Sequence, residues 1–410
     1  MNLAVANLTV ASTTPVGSPG GAALSAPEIK SPFRFQVLTS DRASGARRGR
    51  MSTGHGQVET PAFMPVGTQA TVKTLLPQEV RATGAQIILA NTYHLMLRPG
   101  LETLVAAGGL HRFMGWNGPI LTDSGGFQIF SLAGNVRVSE LAVTFRSHID
   151  GSRRELTPES AVGLQLGWGS DIVMALDHLV GLPADLGSVR DATDRTHRWL
   201  VRCVDAFTDA RGEDRAALFG ICQGGMDPDL RRASAAAISS APVAGCAIGG
   251  LSVGEPKPVM AEMLEIVSEI LPANKPRYLM GVGSPEDLWM GVARGVDLFD
   301  CVLPTRLARN GALFTPAGRV NIKQRRFADV HAPLDEECDC DTCTQFSAAY
   351  LHHLFRAGEI LGLRLASVHN LRFLANQVAL IRQAIDQDSF ASAHASFLDR
   401  YRPVEQRSEA

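Results

Sequence analysis

Eight short apolar runs, each closed by turn residues and followed by an amphipathic stretch, predict an α/β fold of the (β/α)8 TIM-barrel type. The runs fall at residues 62–66, 86–90, 119–122, 172–176, 218–222, 244–248, 278–281 and 296–299. Runs this short and apolar read as parallel strands buried on both faces. Two connecting stretches carry helix-start signals. Thr157-Pro158-Glu159 and Ser284-Pro285-Glu286 each supply an N-cap, a first-turn proline and an acid in order. Composition agrees, because 45% hydrophobic residues and 39 glycines suit a large core with many tight strand-to-helix turns.

Along the chain, residues 1–31 are rich in Ala, Ser, Thr, Pro and Gly and read as a disordered low-complexity tail. A barrel domain is expected over 32–304, opening with an Arg-rich alternating segment at 33–59 that predicts short antiparallel strands. The interval 132–155 is too long and polar for a plain connection. Val143 to His148, the turn Asp150-Gly151 and Arg153 to Leu156 predict an inserted hairpin there. A helix is expected over 345–357. Residues 305–405 leave the barrel pattern and predict a basic, metal-binding subdomain whose last helices pack on the barrel.

Charge and cysteines narrow the function classes. With 39 Lys and Arg against 41 Asp and Glu, the net charge of −2 gives the whole molecule no pull on nucleic acid, so such a partner needs a local patch. No apolar stretch approaches the ~20 residues of a membrane span, and no basic region precedes an apolar block at the start. Cys203, Cys222, Cys246 and Cys301 lie in apolar runs and read as buried thiols, which is cytosolic usage. A cytoplasmic protein without membrane contact is expected.

The remaining three thiols, Cys338-x-Cys340-x-x-Cys343, carry the most specific signal in the chain. Three thiolates this close can wrap one tetrahedral Zn2+ ion. His369 is the natural fourth ligand, with His352 and His353 as rivals. A Cys3His set has no open position for water, so one structural zinc per chain is expected, with no direct part in catalysis.

Barrel chemistry sits at the C-terminal ends of the strands. The residues there are Asn91, Asp123, Asp177, Gln223, Gly249-Gly250, Gly281 and Asp300. Asp123 could merely cap a turn, and Asp300 could merely pair with an arginine. Yet an acid inside Phe299-Asp300-Cys301-Val302 is costly to bury without a purpose. For a purine nucleotide substrate, one carboxylate could displace the base and hold the ribose, and a second could shuttle the proton. A third could accept both N–H groups of guanine's pairing edge, with an amide and a glycine N–H donating to its carbonyl. From Arg306 to Arg326, the cations Arg306, Arg309, Arg319, Lys323, Arg325 and Arg326 occur with no intervening acid. That excess suits phosphate contacts, although a solvated surface would look the same.

These residues lie in blocks that resemble the bacterial tRNA-guanine transglycosylases (queuine tRNA-ribosyltransferases) from about residue 33 to 403. The blocks run Thr60 to Thr68, Asn91 to Leu95, Thr122 to Gln128, Gly220 to Gly225, Gly249 to Glu255 and Phe299 to Arg306, followed by the zinc set. The resemblance implies that Asp300 is the nucleophile and Asp123 the general acid/base. It implies that Asp177, Gln223 and Gly250 grip the guanine edge, and that Phe127 and Met280 sandwich the base. Leu251 and Glu255 would contact the aminomethyl arm of the incoming base, and Asn91 and Gly249 complete the substrate-binding set. Lys73, Arg306, Arg309, Lys323 and Arg325 are the expected RNA contacts. A homodimer, a tRNA with guanine at the wobble position and a 7-deazaguanine base are the implied partners.

Asp177-His178-Leu179 stands where bacterial members commonly carry Asp-Glu-Cys, which alters the pocket wall. Val253 fits the bacterial pattern, and the balance favours 7-aminomethyl-7-deazaguanine over queuine as the incoming base. A non-catalytic tRNA-binding subunit should lack Asp300 or Asp123, and both are present. A metal-dependent hydrolase needs an open metal position. An archaeal-type enzyme acting elsewhere in tRNA should carry a C-terminal RNA-binding domain.

Overall fold

The computed structural model describes residues 33–181 and 183–402, so the expected N-terminal tail lies outside the described residues. Three antiparallel strands come first: β1 (Arg34–Ser40), β2 (Arg47–Thr53) and β3 (Gly56–Thr60). The barrel then takes β4 (Ala62–Pro65), β5 (Ile88–Ala90) and β6 (Ile120–Thr122). An inserted sheet follows, made of β7 (Gly134–Val138), β8 (Val143–Arg146) and β9 (Arg153–Leu156). The barrel resumes with β10 (Ile172–Met174), β11 (Ala217–Cys222), β12 (Gly245–Ile248), β13 (Arg277–Leu279) and β14 (Leu298–Cys301). All eight apolar runs are therefore barrel strands, hydrogen-bonded in the order β4-β14-β13-β12-β11-β10-β6-β5. The ends meet at a parallel bridge, Val66 to Leu89, where Gly67 N donates to Leu89 O at 2.6 Å.

Alternation along each strand separates two cores. Met64, Leu89, Leu121, Met174, Phe219 and Leu298 fill the barrel interior. Their neighbours Phe63, Ile88, Ile120, Val173, Leu218 and Phe299 face the surrounding helices. A side chain at Gly245 would strike the Phe219 ring at 2.3 Å, so the interior accepts that ring only beside a glycine. The β1–β3 sheet packs Met51 and Val58 into the same interior, with Phe33 edge-on to Phe219 at 5.8 Å. The two predicted helix starts are both present. Thr157 accepts from Ser160 N at the head of Pro158–Gly167, and Ser284 accepts from Asp287 N at the head of Pro285–Ala293.

Three details differ from the expectations. The insertion is a three-stranded sheet, because Gly134–Val138 also pairs with β8. The helix expected over 345–357 is two helices, Asp341–Gln345 and Ala348–Ala357. Ser347 breaks the run by accepting from Tyr350 N as a new N-cap. Cys301 is partly exposed, whereas Cys203, Cys222 and Cys246 are buried.

Beyond the barrel, β15 (Ala312–Thr315) and β16 (Gly318–Asn321) form a hairpin. The long helix Ile360–Asp386 then runs back along the barrel. It is tied there by Asn370, whose amide donates to Pro304 O and Ala312 O while accepting from Phe314 N. Further along, Gln377 accepts from Trp289 Nε1 and Arg382 donates to Pro61 O.

Candidate active site and metal centre

The strand ends surround a cavity of about 530 Å³. Asn91, Asp123, Phe127, Asp177, Gln223, Gly249, Gly250, Leu251, Met280, Asp300 and Arg306 all line it, which brings most of the predicted site residues together. Glu255 stands behind that wall. Its carboxylate accepts from Ser252 N, and from Val253 N at 2.9 Å, which fixes the loop after Leu251. Ser252 has φ of 60°, a left-handed backbone that this clamp sustains. Leu179 and Val253 also face the cavity.

The three carboxylates differ in how they are held. Asp123 follows β6, and its Oδ2 accepts from Asn91 Nδ2 at 2.5 Å and its Oδ1 from Thr92 N at 2.7 Å. Burial pushes its carboxyl up to about 6; the bonds from Asn91 and Thr92 oppose the rise, and the charge of Asp300 adds to it. Asp177 follows β10 and accepts from Ser124 Oγ at 2.7 Å and Gln223 Nε2 at 2.6 Å. Burial raises its carboxyl as well. Asp300, on β14, accepts twice on one oxygen: Oδ1 takes Tyr278 Oη at 2.6 Å and Gly281 N at 2.7 Å. Among the described residues, no group bonds its Oδ2. Burial raises the Asp300 carboxyl, against the pull of those two donors.

Gly249 and Gly250 are required beside Gln223. A Cβ on Gly250 would meet Gln223 Oε1 at 2.4 Å, and Gly250 has φ of 65°. The fully buried Arg231 holds this turn, donating to Gly249 O at 2.8 Å and Gly250 O at 3.0 Å. Sequence reasoning did not find Arg231 or Tyr278. Arg231-Arg232 looks like the solvent face of a helix, so nothing local marks it. Tyr278 did carry a signal, a hydroxyl in an aliphatic run two positions from Met280 and hence on the same strand face.

The expected RNA cations are not gathered in the cavity. Arg306 is exposed on its wall, and Lys323 and Arg325 are exposed on the following subdomain. Arg309 is half-buried. Lys73 is exposed and close enough to help depress the protonation of His94, a cavity-wall residue, behind the larger effect of burial. None of the five pairs with a carboxylate among the described residues.

The sulfur cluster converges as predicted. Cys338, Cys340, Cys343 and His369 are all buried, with their ligand atoms within 4.8 Å of one another, and could hold a metal ion. His369 Nδ1 faces Cys343 Sγ at 3.3 Å and Cys340 Sγ at 3.7 Å. Its Nε2 donates to Phe314 O at 2.7 Å, the outer contact that orients a ligating imidazole. His352 is not part of the cluster; its Nδ1 bonds Ile322 O.

A family model for queuine tRNA-ribosyltransferase matches residues 41–403. The chain belongs to the queuine tRNA-ribosyltransferase family. It is 58% identical over 372 residues to the queuine tRNA-ribosyltransferase of Herpetosiphon aurantiacus, covering 91% of this chain and 93% of that one. Against the protein of the same name from Desulforudis audaxviator, identity is 56% over 89% of this chain and 97% of the relative. For that of Moorella thermoacetica it is 54%, over 90% and 97%. Membership places the chain among pentosyltransferases of the tRNA-guanine transglycosylase type. Among the described residues, no helix is long and apolar enough to cross a membrane.

Proposed function

We propose that this enzyme exchanges guanine at the wobble position of a tRNA anticodon for 7-aminomethyl-7-deazaguanine through a covalent aspartyl-ribose intermediate. The observation that carries this reading is the unequal treatment of two carboxylates in one cavity. Asp300 is anchored by Oδ1 alone, leaving Oδ2 for C1′ of the ribose. Asp123 is poised at about 6, near the value that serves both proton donation and acceptance.

Asp300 Oδ2 attacks C1′ as the bond to the guanine nitrogen breaks, and Asp123 delivers a proton to the departing base. The incoming base then gives its proton to Asp123, attacks C1′ and frees the Asp300 carboxylate. Asp177 keeps one lone pair on each oxygen for guanine's N1–H and amino group, since Ser124 and Gln223 use the others. The second hydrogen of Gln223 Nε2 and the Gly250 N–H donate to the purine carbonyl. Phe127, 54% exposed at the cavity mouth, and Met280 close over the two faces of the base. Leu251 and the Glu255 clamp meet the aminomethyl arm. Asn91 holds Asp123 in place, and Gly249 allows the purine to approach the backbone. The wobble base leaves its stack to enter, at a cost of a few kcal/mol. Lys73, Arg306, Arg309, Lys323 and Arg325 hold the anticodon arm's phosphates, and two copies act as a cytoplasmic homodimer.

The donor set fits zinc, being three soft thiolates and an imidazole held by an outer contact. Cys338, Cys340, Cys343 and His369 would hold it, and it would supply a structural cross-link. The test is an exchange assay on an anticodon hairpin carrying labelled guanine. 7-Aminomethyl-7-deazaguanine should chase the label and queuine should not. An equal chase by queuine would select the salvage base instead, and no chase by any base would refute transglycosylation.

A further inference from the structure

At the floor of the barrel, opposite the cavity, three distant segments bring His55, His111 and Asp171 together. His55 lies in the β2–β3 turn, His111 in the short helix Leu110–Met114, and Asp171 immediately before β10. Asp171 Oδ1 lies 2.8 Å from His55 Nδ1, and its Oδ2 lies 3.1 Å from His111 Nε2. The two imidazoles stack at 3.6 Å with 15° between their planes, both turned toward one carboxylate. All three ligand atoms fall within 4.8 Å of one another. Ile120 N donates to Asp171 Oδ2 at 2.9 Å, the kind of outer contact that orients a ligating carboxylate.

We propose that His55, His111 and Asp171 form a second metal site, which takes a divalent ion of the Zn2+, Co2+ or Ni2+ type. Two imidazole nitrogens and one carboxylate oxygen suit these borderline ions, whereas Mg2+ and Ca2+ require oxygen throughout. The Asp171 side chain is 1% exposed and supplies a fixed anion, while His55 is 40% exposed and gives the ion a path from solvent. On binding, each neutral ring moves its proton to its other nitrogen and gives the freed lone pair to the ion. Water completes the shell on the His55 side. The ion clasps the β2–β3 turn to the barrel floor, where contacts serve stability and take no part in chemistry.

The test uses the full chain with its sulfur site already zinc-loaded, titrated with Co2+. One further equivalent should bind, giving visible ligand-field bands without sulfur-to-cobalt charge transfer, and the thermal midpoint should rise. His55→Ala and His111→Ala should each weaken that binding at least ~10-fold while leaving the zinc content and circular dichroism unchanged. No binding beyond the zinc, or undiminished binding in His55→Ala, would mean that the three residues share hydrogen bonds only, and would overturn the proposal. The readout is metal content, so it is independent of base exchange.

Discussion

Single buried carboxylates tie stability to pH. Asp123 keeps its proton to about pH 6 when folded, whereas an unperturbed aspartate loses it near 3.8. Between those values the native state binds more protons than the unfolded one, so stability should fall as pH rises through that window, by about 3 kcal/mol at most. Denaturant titration at a series of pH values should show this slope, and Asp123→Asn should make it shallower without abolishing it, because the raised Asp177 and Asp300 carboxyls act in the same direction. An unchanged slope in the variant would place the raised carboxyl elsewhere. That these acids meet at one cavity was legible in the sequence, because each follows or ends an apolar barrel strand and strand ends share one mouth. Their differing hydrogen bonds were not. The two donors on Asp300 Oδ1 come from Tyr278 and Gly281, and only the closed barrel brings β13 beside β14. Gly167 ends its helix where a Cβ would meet Leu101 Cδ1 at 2.8 Å, whereas Gly163 has open space around it.

Elements divide between those written locally and those made by pairing. The strands from β4 to β14 that build the barrel were readable because burial on both faces leaves unbroken apolar runs. The third strand of the insertion was not, since Gly134–Val138 offers only Val136 and Val138 as apolar residues and gains its conformation from β8. The sulfur cluster spans several elements at once. Cys340 caps the helix Asp341–Gln345, accepting from Cys343 N, and His369 lies inside the long helix Ile360–Asp386. That helix also carries Asn370, Gln377 and Arg382, the ties to the barrel. Removing the metal with a chelator should therefore loosen more than a loop. A structural zinc is worth on the order of 10 kcal/mol, more than one core substitution. Loss of the metal proposed for this cluster should lower the thermal midpoint and reduce helical circular dichroism, and His369→Ala should do the same. An unchanged melt after verified metal loss would contradict a structural role.

On the scale of the whole molecule, a near-neutral protein must still hold a polyanion. With a net charge of −2, the proposal gives that task to local cations, among them Lys73, Arg306, Arg309, Lys323 and Arg325, none of which pairs with a carboxylate among the described residues. Each phosphate contact on a single strand adds about 0.7 to the salt slope of binding. Arg325→Ala should reduce that slope by about this amount in a filter-binding series, and no change would remove Arg325 from the interface. Sequence alone could show the charge excess but not its layout, since Arg306 borders the cavity while Lys323 and Arg325 sit on the subdomain beyond it.

The proposed mechanism turns on one bond, between Asp300 Oδ2 and the ribose. Its most direct measurement is a denaturing gel of the protein mixed with an anticodon hairpin. The native chain should give a covalent protein–RNA band, and Asp300→Asn, correctly folded and zinc-loaded, should give none. A band of normal yield from Asp300→Asn would contradict the mechanism.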